Sequence, residues 1–165
     1  MAVALLNAGA NIEFASTGGF TPLMIATMSN NASVVMLLLE RGADGTKREL
    51  GEPDALVPGS TALDIARTYA SNGDEKTLRL GRGDFAETLA VLRLMCCSAC
   101  GVTSAGLSAT TPGVERRLKR CGKCPARGPC AHYCSKECQR ADWVKWHRGE
   151  CAEARRARQA AGTEV

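Results

Sequence analysis

The chain has 165 residues, 45% of them apolar and 23% charged, with a formal net charge of +4. That balance excludes wholesale disorder, and the length allows one ordinary domain or two small ones. The longest apolar run, Val34 to Leu39, is six residues, far short of the ~20 that cross a membrane; with no basic segment ahead of an apolar stretch at the N-terminus, neither a membrane span nor a secretory leader is expected.

The composition is uneven along the chain. All nine cysteines, both histidines (His132, His147) and both tryptophans (Trp143, Trp146) lie from Cys96 onward. Residues 1–95 carry a net charge of −3 and residues 96–165 a net of +7. A boundary between two modules is therefore expected at Met95/Cys96. Without export, nine cysteines read as metal ligands or free thiols rather than disulfides, and an odd count fits a disulfide framework badly.

The first module repeats itself. Met1 to Asn7 reads as a helix. Leu6-Asn7-Ala8-Gly9-Ala10-Asn11 recurs as Leu39-Glu40-Arg41-Gly42-Ala43-Asp44, which places Gly9 and Gly42 33 residues apart. Gly19-Phe20-Thr21-Pro22-Leu23 recurs loosely as Gly59-Ser60-Thr61-Ala62-Leu63 at a spacing of 40, so about seven residues are inserted within 46–58. Thr21 is a good N-cap, and Pro22 suits the first helical position, where no amide hydrogen bond is lost. Leu23, Ile25 and Ala26 are expected to line the packing side of this first helix. Asn30-Asn31 turns the chain. Val34, Val35, Leu37 and Leu38 then form a strongly apolar second helix, which Gly42 closes in the left-handed conformation. A third unit runs from Thr61 to Ala70 and from Phe85 to Leu94, split by the polar stretch Ser71 to Gly83. Within that stretch Gly81-Arg82-Gly83-Asp84 lacks a following G-K-S/T and reads as a loop.

A period of 33 with these T-P-L and L-L-L-x-x-G-A-D cassettes resembles the ankyrin repeat. Two unrelated helical hairpins with similar patterning are the plainer alternative. The resemblance implies stacked helix pairs that bind other proteins. Met24 stands where the family usually has His. The first unit offers only its second helix and leaves an apolar face uncovered, which reads as a fragment, a truncated gene model, or a chain that stacks on something else.

The second module reads as a metal site. Its ligand candidates form the pairs Cys97-x2-Cys100, Cys121-x2-Cys124, Cys134-x3-Cys138 and His147-x3-Cys151. Two intervening residues let a tight knuckle aim both sulfurs at one ion, and residues four apart share a helix face. Four pairs give eight ligands, enough for two tetrahedral ions with no open position, and sulfur with imidazole favours zinc. Such closed sites are structural: the metal folds the domain. Cys96 can stand in for Cys97, although the x2 spacing favours Cys97, and Cys130 competes with Cys124. His132 reads as a surface residue. Cys130-x-His132-x-Cys134 falls one residue short of a RING core.

The run His132-Tyr133-Cys134-Ser135-Lys136-Glu137-Cys138-Gln139-Arg140-Ala141-Asp142-Trp143, followed by His147 and Cys151, closely resembles the MYND zinc finger, over about 55 residues. The resemblance, not the spacing, implies an interleaved pairing: Cys97, Cys100, Cys134 and Cys138 on one zinc, and Cys121, Cys124, His147 and Cys151 on the other. It also implies a groove for short proline-rich peptides, with Gln139 and Trp143 at the matching positions. Packing over the zinc core is the alternative role for Trp143. Gly122 stands where some relatives add a polar contact. Trp146 has no family counterpart and reads as part of an exposed helix face or a second aromatic wall. The stretches from Cys100 to Cys121 and from Cys124 to Cys134 are longer than the family habit, and Gly101 to Thr111 reads as a loop.

The fold expected is mainly α: a short ankyrin-like stack over 1–95, a two-zinc MYND-type module over 96–152, and a basic helical or disordered tail over 153–165. Seven ligand thiolates and two zinc ions would lower the C-terminal charge from +7 to +4. The remaining basic clusters, Arg116, Arg117, Lys119, Arg120 and Arg155, Arg156, Arg158, read as solvated faces, and no base-reading element appears. The function expected is a non-enzymatic, intracellular adaptor, nuclear or cytoplasmic, that engages other proteins or short peptides. The alternative is a fragment or relative of a MYND-containing enzyme such as a SET–MYND lysine methyltransferase, although the chain has no room for a SET domain. Nucleic-acid binding ranks third.

Overall fold

A computed structural model describes residues 1–50, 59–72, 85–101, 103, 118–122 and 131–161. The insertion within 46–58, the polar run Ser71 to Gly83, the loop over Gly101 to Thr111, Cys124, Cys130, Arg116 and Arg117 lie wholly or partly outside the described residues. The described chain is mainly helical. Five helices come first: α1 (Ala2–Asn7), α2 (Pro22–Met28), α3 (Ala32–Glu40), α4 (Ala62–Asn72) and α5 (Ala86–Met95).

Local chemistry starts and stops these helices. The Thr21 hydroxyl accepts the Met24 amide at 3.4 Å, and Pro22 occupies the first turn. One unit later the cap is reciprocal. Thr61 Oγ1 accepts the Asp64 amide at 3.2 Å, while Asp64 Oδ2 accepts the Thr61 amide at 3.2 Å. Met24 holds the place of Asp64 in the earlier unit and cannot reciprocate. Asn30 turns left-handed at φ 51°, and Asn31 Oδ1 accepts the Val34 amide at 3.1 Å to start α3. Gly9 and Gly42 end α1 and α3 at φ 85° and 90°. Each closes the same double bond: Gly9 and Ala10 donate to Leu6 and Leu5, and Gly42 and Ala43 donate to Leu39 and Leu38.

α2 packs on α3 within its unit and on α4 of the next, while α5 packs on both α3 and α4. Leu23, Met24, Val35, Leu38, Leu39, Leu63, Ala66 and Leu92 form the core. The expected packing face of α2 needs one correction. Ile25 is 49% exposed, whereas Met24 is 1% exposed. At about 100° per residue, positions 23, 24, 26 and 27 share an arc and 25 points away from it.

The cysteine-rich part follows. β1 (Lys119–Arg120) pairs antiparallel with β2 (His132–Tyr133), Lys119 opposite Tyr133. α6 (Lys136–Asp142) starts at Ser135, whose hydroxyl accepts the Cys138 amide at 3.2 Å. A π-helical turn, Trp143–His147, leads into α7 (Arg148–Ala161). No helix among the described residues is long and apolar enough to cross a membrane.

The two parts pack against each other. Arg67 of α4 is 3% exposed and lies 2.9 Å from Asp142, itself 1% exposed, at the end of α6. Arg67 also donates to the Ser98 carbonyl at 2.9 Å, and its guanidinium sits 5.6 Å from the Trp146 ring. Tyr133 donates to Asp142 at 2.7 Å. Arg93 of α5 pairs with Glu150 of α7. Gly45, beyond α3, meets Gly101 backbone to backbone. A Cβ on Gly101 would lie 2.1 Å from the Gly45 carbonyl oxygen, and Gly101 also has φ 79°. The composition break at Cys96 therefore falls inside a packed interface. Two readings change with it. Trp146 is half-buried at this junction instead of lying on an exposed helix face. His132 is half-buried too, with Nδ1 2.9 Å from the Arg93 carbonyl oxygen.

Candidate metal centre

Cys97 and Cys100 flank the turn that leaves α5. Cys134 follows β2, and Cys138 lies in the first turn of α6. The helix begins only at Lys136, so Cys134 is outside it. The strand end and the Ser135 cap bring this pair together, not a shared helix face. The four sulfurs lie within 4.8 Å of one another. Cys134 Sγ is 3.5 Å from Cys138 Sγ and 3.7 Å from Cys100 Sγ. Thiolates at the corners of a tetrahedron around zinc, each about 2.3 Å from the ion, stand about 3.8 Å apart. The donor set fits that ion.

The second cluster is buried. The ligand atoms of Cys121, His147 and Cys151 lie within 4.8 Å of one another. Cys121 follows β1, His147 ends the π-helical turn and Cys151 lies in α7. The wide turn, closed by the Arg148 amide on the Trp143 carbonyl, lets both Trp143 and His147 face inward. Their ring centroids are 5.7 Å apart, nearly edge-on, and Tyr133 meets His147 from another side at 6.0 Å. Cys124, expected as the fourth member, lies outside the described residues.

Electrostatics separates the adjacent Cys96 and Cys97. The Cys100 thiol, and then the Cys100 and Cys134 amides, hydrogen-bond to Cys97 and hold it as a thiolate, down at about 4 against a burial penalty. Burial pushes Cys96 up to about 12, and the neighbouring Cys97 and Asp44 charges add to it. Position decides between them: Cys96 packs in the apolar core of the repeat part, and Cys97 stands in the sulfur cluster. Burial opposes charge on His147, but the facing Glu150 and Cys121 raise it overall. A metal ion at the cluster requires the neutral ring.

Among the described residues no two cysteines form a disulfide. The two clusters are drawn alternately along the chain. Residues 18–48 match the family model of the ankyrin repeat, and residues 97–151 match that of the MYND finger. The chain carries an ankyrin repeat followed by a MYND finger. No curated protein and no solved structure matches it. The finger and its cysteine clusters support zinc binding, and both modules are protein-interaction modules.

Gln139 and Trp143 line one cleft on the finger, of about 490 Å³, with Cys121, Lys136, Arg140 and Val144. Trp143 is half-buried and packs against the cysteine core, the packing role named as the alternative for it. Val144 at the rim is 83% exposed. Gly122 is exposed, and no described residue lies within 4 Å of where its Cβ would be. Sequence reasoning missed Arg67, Arg93 and Glu150. Tyr133 and Asp142 stood inside the motif but had no role assigned. Their signal was their polarity beside ligands, with no partner visible nearby in the chain.

Proposed function

We propose that the chain is a non-enzymatic adaptor whose MYND finger holds two structural zinc ions and docks a short proline-rich peptide. On this reading Cys97, Cys100, Cys134 and Cys138 hold the first ion, and Cys121, Cys124, His147 and Cys151 the second. Each set is closed, so the metal contributes folding energy and offers no position to a substrate. Residues 1–95 form the repeat part, 96–152 the finger, and 153–165 a basic tail. The thiolate ligands require a reducing compartment, intracellular and either nuclear or cytoplasmic.

The observation that carries peptide docking is the cleft beside Cys121, with Trp143 as its aromatic wall and the Gln139 amide at its edge. An extended proline-rich peptide loses little entropy on binding and packs its rings on such a wall. Lys136 and Arg140 on the same cleft favour acidic residues beside the prolines.

The test is metal analysis together with peptide binding. The zinc-loaded chain should contain two ions, and Trp143→Ala should weaken binding to a proline-rich peptide array about tenfold or more. Fewer than two ions removes the metal assignment. Equal binding by wild type and Trp143→Ala removes the groove and leaves the repeats as the binder.

A further inference from the structure

We infer that Glu150 is a positioning residue for His147 at the second zinc site, and that Arg93 of the repeat part holds Glu150 in place. The zinc affinity of the finger is then set partly by a residue outside it. The inference rests on the two-zinc reading above.

The geometry runs in one line. Glu150 Oε2 lies 3.6 Å from His147 Nδ1, one helical turn away on the same face. The other carboxylate oxygen, Oε1, pairs with the Arg93 guanidinium from α5. With Glu150 at Nδ1, Nε2 is the ring nitrogen left for an ion shared with Cys121 and Cys151. The edge-on contacts of Tyr133 and Trp143 hold the plane of the ring. A carboxylate that accepts the remote N–H of a ligating imidazole fixes its tautomer and raises its basicity. Glu150 is well placed for that role because its other oxygen is already occupied. Arg93 is itself largely buried, with side-chain exposure of 11%, while Glu150 keeps 29%, so the guanidinium side of the pair is the one that water replaces poorly. The first cluster has four cysteines and no histidine. It supplies an internal control in the same chain.

The test measures zinc affinity at both sites by chelator competition, and the visible absorption of the cobalt-substituted chain, whose bands report each ligand set. In wild type two ions are expected. Glu150→Gln keeps the shape and should weaken the second site by roughly 10- to 100-fold, with shifted cobalt bands there and an unchanged first site. Arg93→Met should move the second site in the same direction by a smaller factor, and Arg93→Lys should restore much of it. Two ions in wild type with unaltered second-site affinity in Glu150→Gln would overturn the inference alone. Equal weakening of both sites would overturn it as well, since general loosening of the finger would then explain the loss. Fewer than two ions in wild type would remove the two-zinc reading and this inference together.

Discussion

Removal of Asp142 should unsettle both halves of the molecule. The Arg67 and Asp142 side chains are 3% and 1% exposed, with the charged atoms 2.9 Å apart, so water cannot replace either partner. Asp142→Ala takes the paired carboxylate from a buried guanidinium and the acceptor from the Tyr133 hydroxyl. Loss of one member of a buried pair costs about 3–5 kcal/mol, a large share of the ~5–15 kcal/mol that holds a domain folded. For a chain of this size about 3 kcal/mol lowers the melting temperature by roughly 6–12 °C. Arg67→Met with Asp142→Leu removes both charges and should regain at least half of that loss. The orphaned Tyr133 hydroxyl accounts for a residue of about 1–3 kcal/mol. Urea unfolding of the zinc-loaded chain measures this through tryptophan emission, since Trp146 lies against Arg67. A cost below about 1 kcal/mol for Asp142→Ala, or single costs that simply add in the double variant, would refute the reasoning.

Three further outcomes follow from the packing. Met24→Ala should cost about 2–5 kcal/mol and Ile25→Ala within about 1 kcal/mol; denaturant titration would show the reverse order if Ile25 faced the core. Cys96→Ala should retain the wild-type zinc content, whereas Cys97→Ala should lose one ion by elemental analysis. Gly101→Ala should destabilise by more than about 1 kcal/mol in thermal unfolding, because its φ of 79° and the Gly45 carbonyl oxygen leave no room for a Cβ.

The sequence was legible where chemistry is local. Thr21-Pro22 marks a helix start, and Gly9 and Gly42 mark two stops 33 residues apart, because caps depend on neighbours in the chain. The pairs Cys97/Cys100, Cys134/Cys138 and His147/Cys151, which the structure brings together, were legible for the same reason. The inner face of α2 was not. Seven residues make only two turns, most of them apolar, and burial is decided by α3 and α4, which pack against it. The cap that parts Cys134 from its helix was hidden because x3 spacing fits a helix face equally well. The junction was the least legible. Net charges of −3 and +7 describe two unlike segments, yet Arg67 and Arg93 come from the acidic one, and their partners Asp142 and Glu150 from the basic one. Averages conceal such exchanges, and no local rule pairs residues so distant in the chain.

The junction also explains how a finger of this size holds a fixed place. Among the described residues its own buried apolar cluster is built around Cys97, Cys121, Ala131 and Tyr133, and a small core of this kind is held by a metal or a neighbour. Helix pairs in a repeat stack, for their part, need a cover on each exposed side. The finger supplies that cover along α4 and α5, and the buried Arg67 cation fixes the register, since any other seating would leave it without Asp142. The described residues that make this contact include Arg67, Arg93, Ser98, His132, Asp142, Trp146 and Glu150, beside the Gly45–Gly101 approach. The cleft of Gln139, Trp143 and Val144 uses none of them. A peptide seated in that cleft would therefore bind a finger whose position is already set, without first separating it from the repeats.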